Sequence, residues 1–217
     1  MSALTNVSTN HAHHALRAAV LSALPTLSWR HHGIGVLQAY LVEHVEPEVR
    51  VHIWHPALLK TGMDASGDVH DHRFSMYSHV LVGTVAHEEW LTTPKADGPY
   101  TTMLLTHARA AADSAYHGPT MPTGERFDAT VNLMFIEAGS IYSYPARCFH
   151  RSPVIGLAVT VVEKHHQRSE AARLLHPVHI PPVMAFGHEI GHSLVAEIIA
   201  EARAALGGNK QNQGVKP

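Results

Sequence analysis

The chain has 217 residues, of which 45% are hydrophobic and 16% charged, enough for one globular domain with a sizeable core plus short appendages. The formal net charge is −2, and there is no basic stripe or polybasic cluster, which argues against nucleic-acid and membrane partners. The single cysteine, Cys148, excludes an internal disulfide and favours a cytoplasmic location.

The predicted elements begin with an N-terminal arm and helix over residues 1–28, of which 1–10 are polar and loose and 11–24 form the helix. Two β-branched and aromatic runs, 29–44 and 48–56, form a hairpin, and a loop follows over 57–68. Six further strands are predicted over residues 69–82, 84–93, 99–109, 126–136, 140–144 and 153–164. Many short strands separated by glycine and proline predict a mainly β sandwich or barrel.

The rest of the chain is predicted to be helical before a disordered end. Residues 166–206 hold a short helix, HQRSEAARLL, and a long amphipathic helix over about 187–206. This helix is expected to pack on the barrel or to pair two copies as a homodimer. The tail 207–217 has the composition of a disordered segment.

The 21 histidines are the unusual feature of the composition, because histidine is the commonest metal ligand. A metal site needs only three or four of them, so most are expected at the surface or in the core. His70 and His72 are separated by one residue and therefore point to one side of a strand, with Asp71 on the other side. Two imidazoles at that spacing can reach one metal ion.

A third histidine follows in AGSIYSYPARCFHRS. There, five residues separate Gly139 from Pro145, and His150 lies five positions after Pro145. This spacing resembles the second motif of the cupin superfamily. The stretch GDVHDHRFSMYSHVLVG resembles the first cupin motif, from Gly67 to the closing Gly83. The resemblance covers residues 29–165 and implies a cupin-type double-stranded β-helix, a jelly-roll barrel.

Most cupins carry a glutamate ligand where this chain has Met76. The remaining three-histidine pattern resembles the thiol dioxygenases, cysteine dioxygenase and its relatives. That resemblance implies Fe(II) held by His70, His72 and His150, with open positions for a small-molecule substrate and O₂. Three imidazoles also accept Ni, Zn, Mn or Cu.

The chain departs from the thiol dioxygenases in two respects. Their Ser-His-Tyr relay is replaced by Thr160, Val162 and Lys164. The early-strand group that holds the substrate carboxylate corresponds to Gln38, and an arginine elsewhere can take that role because guanidinium pairs with carboxylate in a fork. The substrate-pocket candidates are Gln38, Arg50, Met76, Arg147, Cys148 and Thr160.

The sequence HEIGH at 188–192 satisfies the H-E-x-x-H pattern of zinc peptidases. On a helix, His188 and His192 would share one face and Glu189 would activate a metal-bound water. The sequence lacks the glycine turn and third histidine that follow in such enzymes.

Three functions therefore remain open from the sequence. The first is a metal-dependent cupin, a mononuclear non-haem Fe(II) dioxygenase acting on a small thiol- or carboxylate-bearing molecule. The second is a cupin that binds a metal or small ligand without turnover. The third is a zinc metallopeptidase.

Overall fold

The structure is a computed structural model that describes residues 3–32, 35–59, 69–105, 120–166, 170–180 and 190–208. Within these ranges it has two α-helices and eleven strands, joined in part by short 3-10 turns. In chain order they are α1 (Ala3–Ala23), β1 (Arg30–His32), β2 (Val36–Val42), β3 (Glu48–Trp54), β4 (Ser75–Val82), β5 (Thr84–Pro94), β6 (Tyr100–Leu105), β7 (Thr120–Glu137), β8 (Ile141–Tyr144), β9 (Phe149–Arg151), β10 (Ala158–His165), β11 (Arg173–Pro177) and α2 (His192–Gly207).

The strands form two antiparallel sheets. The first sheet has the order β1-β2-β3-β10-β4-β8, and the second has the order β11-β6-β7-β5-β9. From β7 onward, consecutive strands alternate between the sheets, since β8 and β10 lie in the first and β7 and β9 in the second. This repeated crossing is the topology of a jelly roll. The predicted mainly β, jelly-roll fold class with helices at both ends is confirmed.

The first sheet has buried residues on both of its faces. Alternate residues of β3 face opposite sides, so Val51 and Ile53 pack away from the barrel while His52 and Trp54 face its interior. The two helices cover the outer face. The buried residues of this outer layer are Val20, Leu24, Leu37, Val51, Ile53, Leu58, Leu81, Val159, Val161, Ile198, Ala202 and Leu206.

Arg17 of α1 binds the C-terminal end of α2. Its Nε donates to the Leu206 carbonyl, and its Nη2 donates to the carbonyls of Ala205 and Gly208, each at 2.7 Å. These carbonyls belong to the end of α2, where no further turn supplies N–H partners. The predicted packing of the C-terminal helix on the barrel is therefore seen, whereas the homodimer stays a prediction. No helix in the described ranges is both long and apolar enough to cross a bilayer.

Three predicted elements differ from the structure. Helix α1 begins at Ala3, so the expected loose arm over 3–10 is helical. Part of the predicted short helix over 166–175 instead enters β11, because Leu174 and Leu175 pair with β6 and extend the second sheet beyond residue 165. Helix α2 begins at His192 and not near 187, because Gly191 has an extended ψ of 137°.

The predicted strand over 69–82 is regular only from Ser75. His70 makes isolated bridges to His150 and Leu174, and the chain then passes irregularly into β4. The closing glycine of this stretch, Gly83, has φ +73°, a conformation that residues with a Cβ rarely adopt. Gly67 lies outside the described residues.

We expect Gly83→Ala to destabilise the fold far more than Gly139→Ala. Both glycines have positive φ, so each alanine costs about 1 kcal/mol or more in backbone strain. A Cβ on Gly83 would also lie 2.1 Å from the Leu157 carbonyl oxygen, whereas one on Gly139 meets nothing within 4 Å. The expected losses are roughly 3 kcal/mol or more for Gly83→Ala and about 1 kcal/mol for Gly139→Ala, measured by denaturant unfolding. Equal losses would contradict the close approach.

Candidate metal centre and cavity

Three histidines from two distant segments meet at the inner face of the second sheet. His70 and His150 exchange two backbone hydrogen bonds, of 3.0 Å and 2.9 Å, which place their side chains next to each other. His72 follows two residues later on the same side. The ring centroids lie 4.8 Å apart for His70 and His72 and 4.7 Å apart for each of the other two pairs.

The arrangement of the nitrogens fits a metal ion. One ring nitrogen from each histidine lies within 4.8 Å of the other two. The Nε2 atoms of His70 and His72 are 3.0 Å apart, which is close to the separation of two ligands bound at about 2.1 Å in tetrahedral or octahedral geometry. His150 is 3% exposed. The group could therefore hold a metal ion.

The hydrogen bond of His150 determines which of its nitrogens faces the group. Its Nδ1 lies 3.0 Å from the Cys148 carbonyl oxygen, which can only accept, so Nδ1 carries the proton. Nε2 is then left as an acceptor for a metal, as in most metal-binding histidines. Burial, the first cause, and the neighbouring His70 hold the pKa of His150 well below its usual value, which favours the neutral imidazole that metals bind.

Asp71 anchors the HxH segment from behind. It was predicted to point to the other side of the strand from His70 and His72, and it is fully buried. Its carboxylate accepts from the Arg173 backbone N–H and from Arg173 Nε, both at 2.7 Å, and lies 3.5 Å from Arg147 Nη1. Arg173 belongs to β11, so the ion pair ties the two candidate ligands that flank Asp71 to the edge of the second sheet.

Aromatic rings surround the three histidines. Phe74 stacks on His72 at 4.7 Å, and Tyr144 lies 4.2 Å from His150. His87 stacks on Tyr144 at 5.2 Å and on His150 at 5.6 Å, and burial lowers its pKa to about 4. Sequence reasoning missed His87. Alternation along the predicted strand 84–93 could have indicated that His87 faces the barrel interior.

A cavity of about 80 Å³ opens between the two sheets in front of the histidines. Its lining residues are Val36, Gln38, Arg50, His52, Trp54, His70, His72, Phe74, Met76, Tyr142, Tyr144, His150, Ser152, Val162 and Lys164. Of the pocket candidates, Gln38, Arg50 and Met76 line this cavity. The Met76 sulfur accepts a hydrogen bond from the Tyr144 hydroxyl at 3.2 Å.

The other three pocket candidates are not among the residues that line this cavity. Thr160 lies beneath Trp54, whose Nε1 donates to its Oγ1 at 3.2 Å. Arg147 has φ +72° and turns its guanidinium toward Asp71 and the Ala171 carbonyl. Cys148 packs against the cluster of Met76, Tyr144 and Val162, and burial raises its pKa.

The first sheet gives the cavity a cationic wall. Arg50 and Lys164 both bind Glu48 Oε2, and Arg50 also contacts the Tyr40 hydroxyl and ring. The Lys164 ammonium lies 4.2 Å from the Phe74 ring centroid. Burial, ahead of the Arg50 charge, lowers the pKa of Lys164.

His52 has no hydrogen-bond partner in the described part of the chain, although both of its ring nitrogens are buried. Burial first, and then the charges of Arg50 and Lys164, lower its pKa to about 3. His52 is therefore neutral near pH 7, with one N–H donor and one acceptor facing the cavity.

The rival zinc site requires one helix through residues 188–192, of which the structure describes only 190–192. Ile190 and Gly191 precede α2, which begins at His192. His192 is exposed at the first position of α2. His188 and Glu189 lie outside the described residues.

Comparison with solved structures gives remote likenesses. One of the DMSP lyases RdDddP and RnDddQII overlaps 72% of this chain and 66% of its own, with 17% identity and a TM-score of 0.40. A cupin-2 domain protein of Rhodospirillum rubrum overlaps 83% of this chain and 82% of its own, with 11% identity and a TM-score of 0.31. E. coli ycfD overlaps 84% of this chain and 42% of its own, with 12% identity and a TM-score of 0.31.

This chain thus spans just under two thirds of the DMSP lyase chain and less than half of ycfD. No protein-family model and no curated protein matches the sequence.

We expect Asp71→Asn to weaken both the fold and the metal centre. The amide leaves Arg173 without its buried charge partner, which costs about 3 kcal/mol, and releases the segment that carries His70 and His72. Unfolding experiments and competition with a metal chelator measure the two effects. Asp128→Asn, an exposed partner of Lys95, is the control and should change neither. Unchanged metal affinity in Asp71→Asn would rule out the anchoring role.

Proposed function

We propose that this protein is a metal-dependent cupin, a mononuclear non-haem Fe(II) dioxygenase acting on a small thiol- or carboxylate-bearing molecule. The observation that carries the proposal is the three-histidine group in the wall of the cavity between the two sheets. The jelly-roll topology and the order of the two histidine motifs support it.

Bound Fe(II) would supply the one-electron chemistry that lets O₂ react with an organic substrate. For a thiol the overall reaction is R–SH + O₂ → R–SO₂H, in which both oxygen atoms end on sulfur and sulfur loses four electrons. The thiol proton ends on the sulfinic acid or passes to solvent.

His70, His72 and His150 would hold the ion, and the cavity that they line would receive substrate and O₂. Met76, at the position where most cupins have a carboxylate, presents an uncharged thioether that already accepts from Tyr144. Burial raises the pKa of Tyr144 well above its usual value, so its hydroxyl keeps its proton and serves as a donor. The cavity side of the group thus has a neutral donor and no competing carboxylate among the residues that line it.

The apolar part of the cavity keeps bulk water from the reacting atoms. Val36, Trp54, Phe74 and Val162 form this part of the lining. Exclusion of water strengthens polar contacts to a bound substrate and prevents side reactions of reactive oxygen species.

A non-catalytic cupin that holds a metal or small ligand is the alternative. The observation in its favour is the strand β10, where Thr160 is covered by Trp54 and Val162 is apolar. These positions supply no proton relay of the Ser-His-Tyr kind. Oxygen consumption separates the two functions, because a binder would take up ligand without consuming O₂.

Protein purified without a nickel column should contain one metal ion per chain, and His150→Ala should lose it. His150 is buried and supplies one of the three candidate ligand nitrogens. His165→Ala is the matched control, since His165 lies at the end of β10 and binds Glu163. Elemental analysis by mass spectrometry gives the metal content and identity. Equal metal content in His150→Ala and the wild type would contradict the proposed metal centre.

The Fe(II)-loaded protein should consume O₂ with at least one member of a panel of small thiols and carboxylic acids. With ¹⁸O₂, the product should carry both labelled oxygen atoms. Fe(II) added to His150→Ala is the control for chemistry of the free ion. Ligand binding without O₂ consumption across the panel would reject the dioxygenase and leave the non-catalytic alternative.

A further inference from the structure

The wall of the cavity that faces the three histidines has more positive than negative charge. Arg50 and Lys164 share a single carboxylate oxygen, Glu48 Oε2. Among the residues that line the cavity, these two are the cations. The single negative charge of Glu48 neutralises only one of their two positive charges. Lys164 is 8% exposed, so solvent does little to screen the surplus charge.

The same wall contains hydrogen-bonding atoms that nothing in the described chain satisfies. Both ring nitrogens of His52 and Nε of Arg50 are buried without a partner. A buried polar group left unpaired costs about 1–3 kcal/mol, so a ligand that pairs with these atoms recovers that loss. The neighbouring strand supplies Gln38, whose Oε1 lies 3.4 Å from Arg50 Nη1.

One aromatic ring separates this wall from the metal centre. The Phe74 ring centroid lies 4.2 Å from Lys164 Nζ and 4.7 Å from the His72 ring centroid. The ammonium is therefore no farther from the His72 ring than the sum of these two distances. A molecule of a few heavy atoms can reach both.

We propose that Arg50, Lys164 and His52 bind the anionic end of a small monoanion, a carboxylate or sulfonate, whose other end reaches the three-histidine group. Arg50 and Lys164 supply the charge and His52 donates its N–H to the second oxygen. The inference rests on the proposed function for the role of the other end. One surplus positive charge matches a monoanion, whereas inorganic phosphate, largely a dianion at about pH 8, would leave a buried negative charge unpaired.

The site differs from the one that the sequence resemblance implies. There a group on β2, at Gln38, would hold the carboxylate, and the sequence offers Arg50 and Arg147 as further candidates for an anionic substrate. Here the cations come from β3 and β10, which are paired neighbours in the first sheet. Gln38 contributes a neutral contact, and Arg147 is engaged with Asp71.

Calorimetric titration of the 217-residue chain with propionate, propionamide and inorganic phosphate at about pH 8 tests the site. Each titration is run on Zn(II)-loaded protein and on protein stripped with a chelator, because a carboxylate can also bind the metal itself. We expect propionate to bind in both forms, at least tenfold more tightly than propionamide or phosphate. Arg50→Gln and Lys164→Met should each weaken propionate binding about tenfold or more, and His52→Phe several-fold. Lys95→Met removes an exposed cation outside the cavity lining and should have no effect.

The outcomes distinguish this inference from the proposed function. Propionamide or phosphate binding as tightly as propionate would overturn it, as would unchanged affinity in Arg50→Gln and Lys164→Met. Failure of propionate to bind to stripped protein within about 10 mM would also overturn it. In each of these cases, metal content that still depends on His150 leaves the metal centre standing. Retained metal in Arg50→Gln shows that the variant is folded.

Discussion

The pair of backbone hydrogen bonds between His70 and His150 is the constraint on which the site depends. The two residues lie about eighty positions apart in the chain, and their exchanged N–H···O bonds place them side by side at the edge of the second sheet. Because partners in an antiparallel pair point to the same face, both imidazoles enter the barrel. His72 joins them because it lies two residues farther along the same extended segment.

The first sheet forms the side of the cavity opposite the three histidines. Its two faces differ in composition. Its outer face is apolar and packs under the two helices. Its inner face places Arg50, His52 and Lys164 in the cavity, where burial would be unfavourable for a charge without a partner. Glu48 offsets part of that penalty. Burial of the apolar outer layer, where Arg17 links α1 to α2, stabilises the sheet. This stabilisation offsets the cost of burying polar groups on its inner face.

Much of the fold and part of the site could be predicted from the sequence. Turn residues between short apolar runs indicated the β class, and the spacing around His70, His72 and His150 indicated the histidine group. The partner of Asp71 could not be found, because Arg173 lies in a segment with helical composition that pairs instead with β6. The role of Lys164 depends on the register of β10 between β3 and β4, which no local pattern encodes.

His70 and His72 come from a segment before β4, and His150 comes from one after β8. An ion held by all three would therefore cross-link two segments that are far apart in the chain. Separation of these two segments would break the bonds between the histidines and the ion. The barrel could then open only after the ion had left, and the lifetime of the folded protein would be governed by how slowly the ion dissociates.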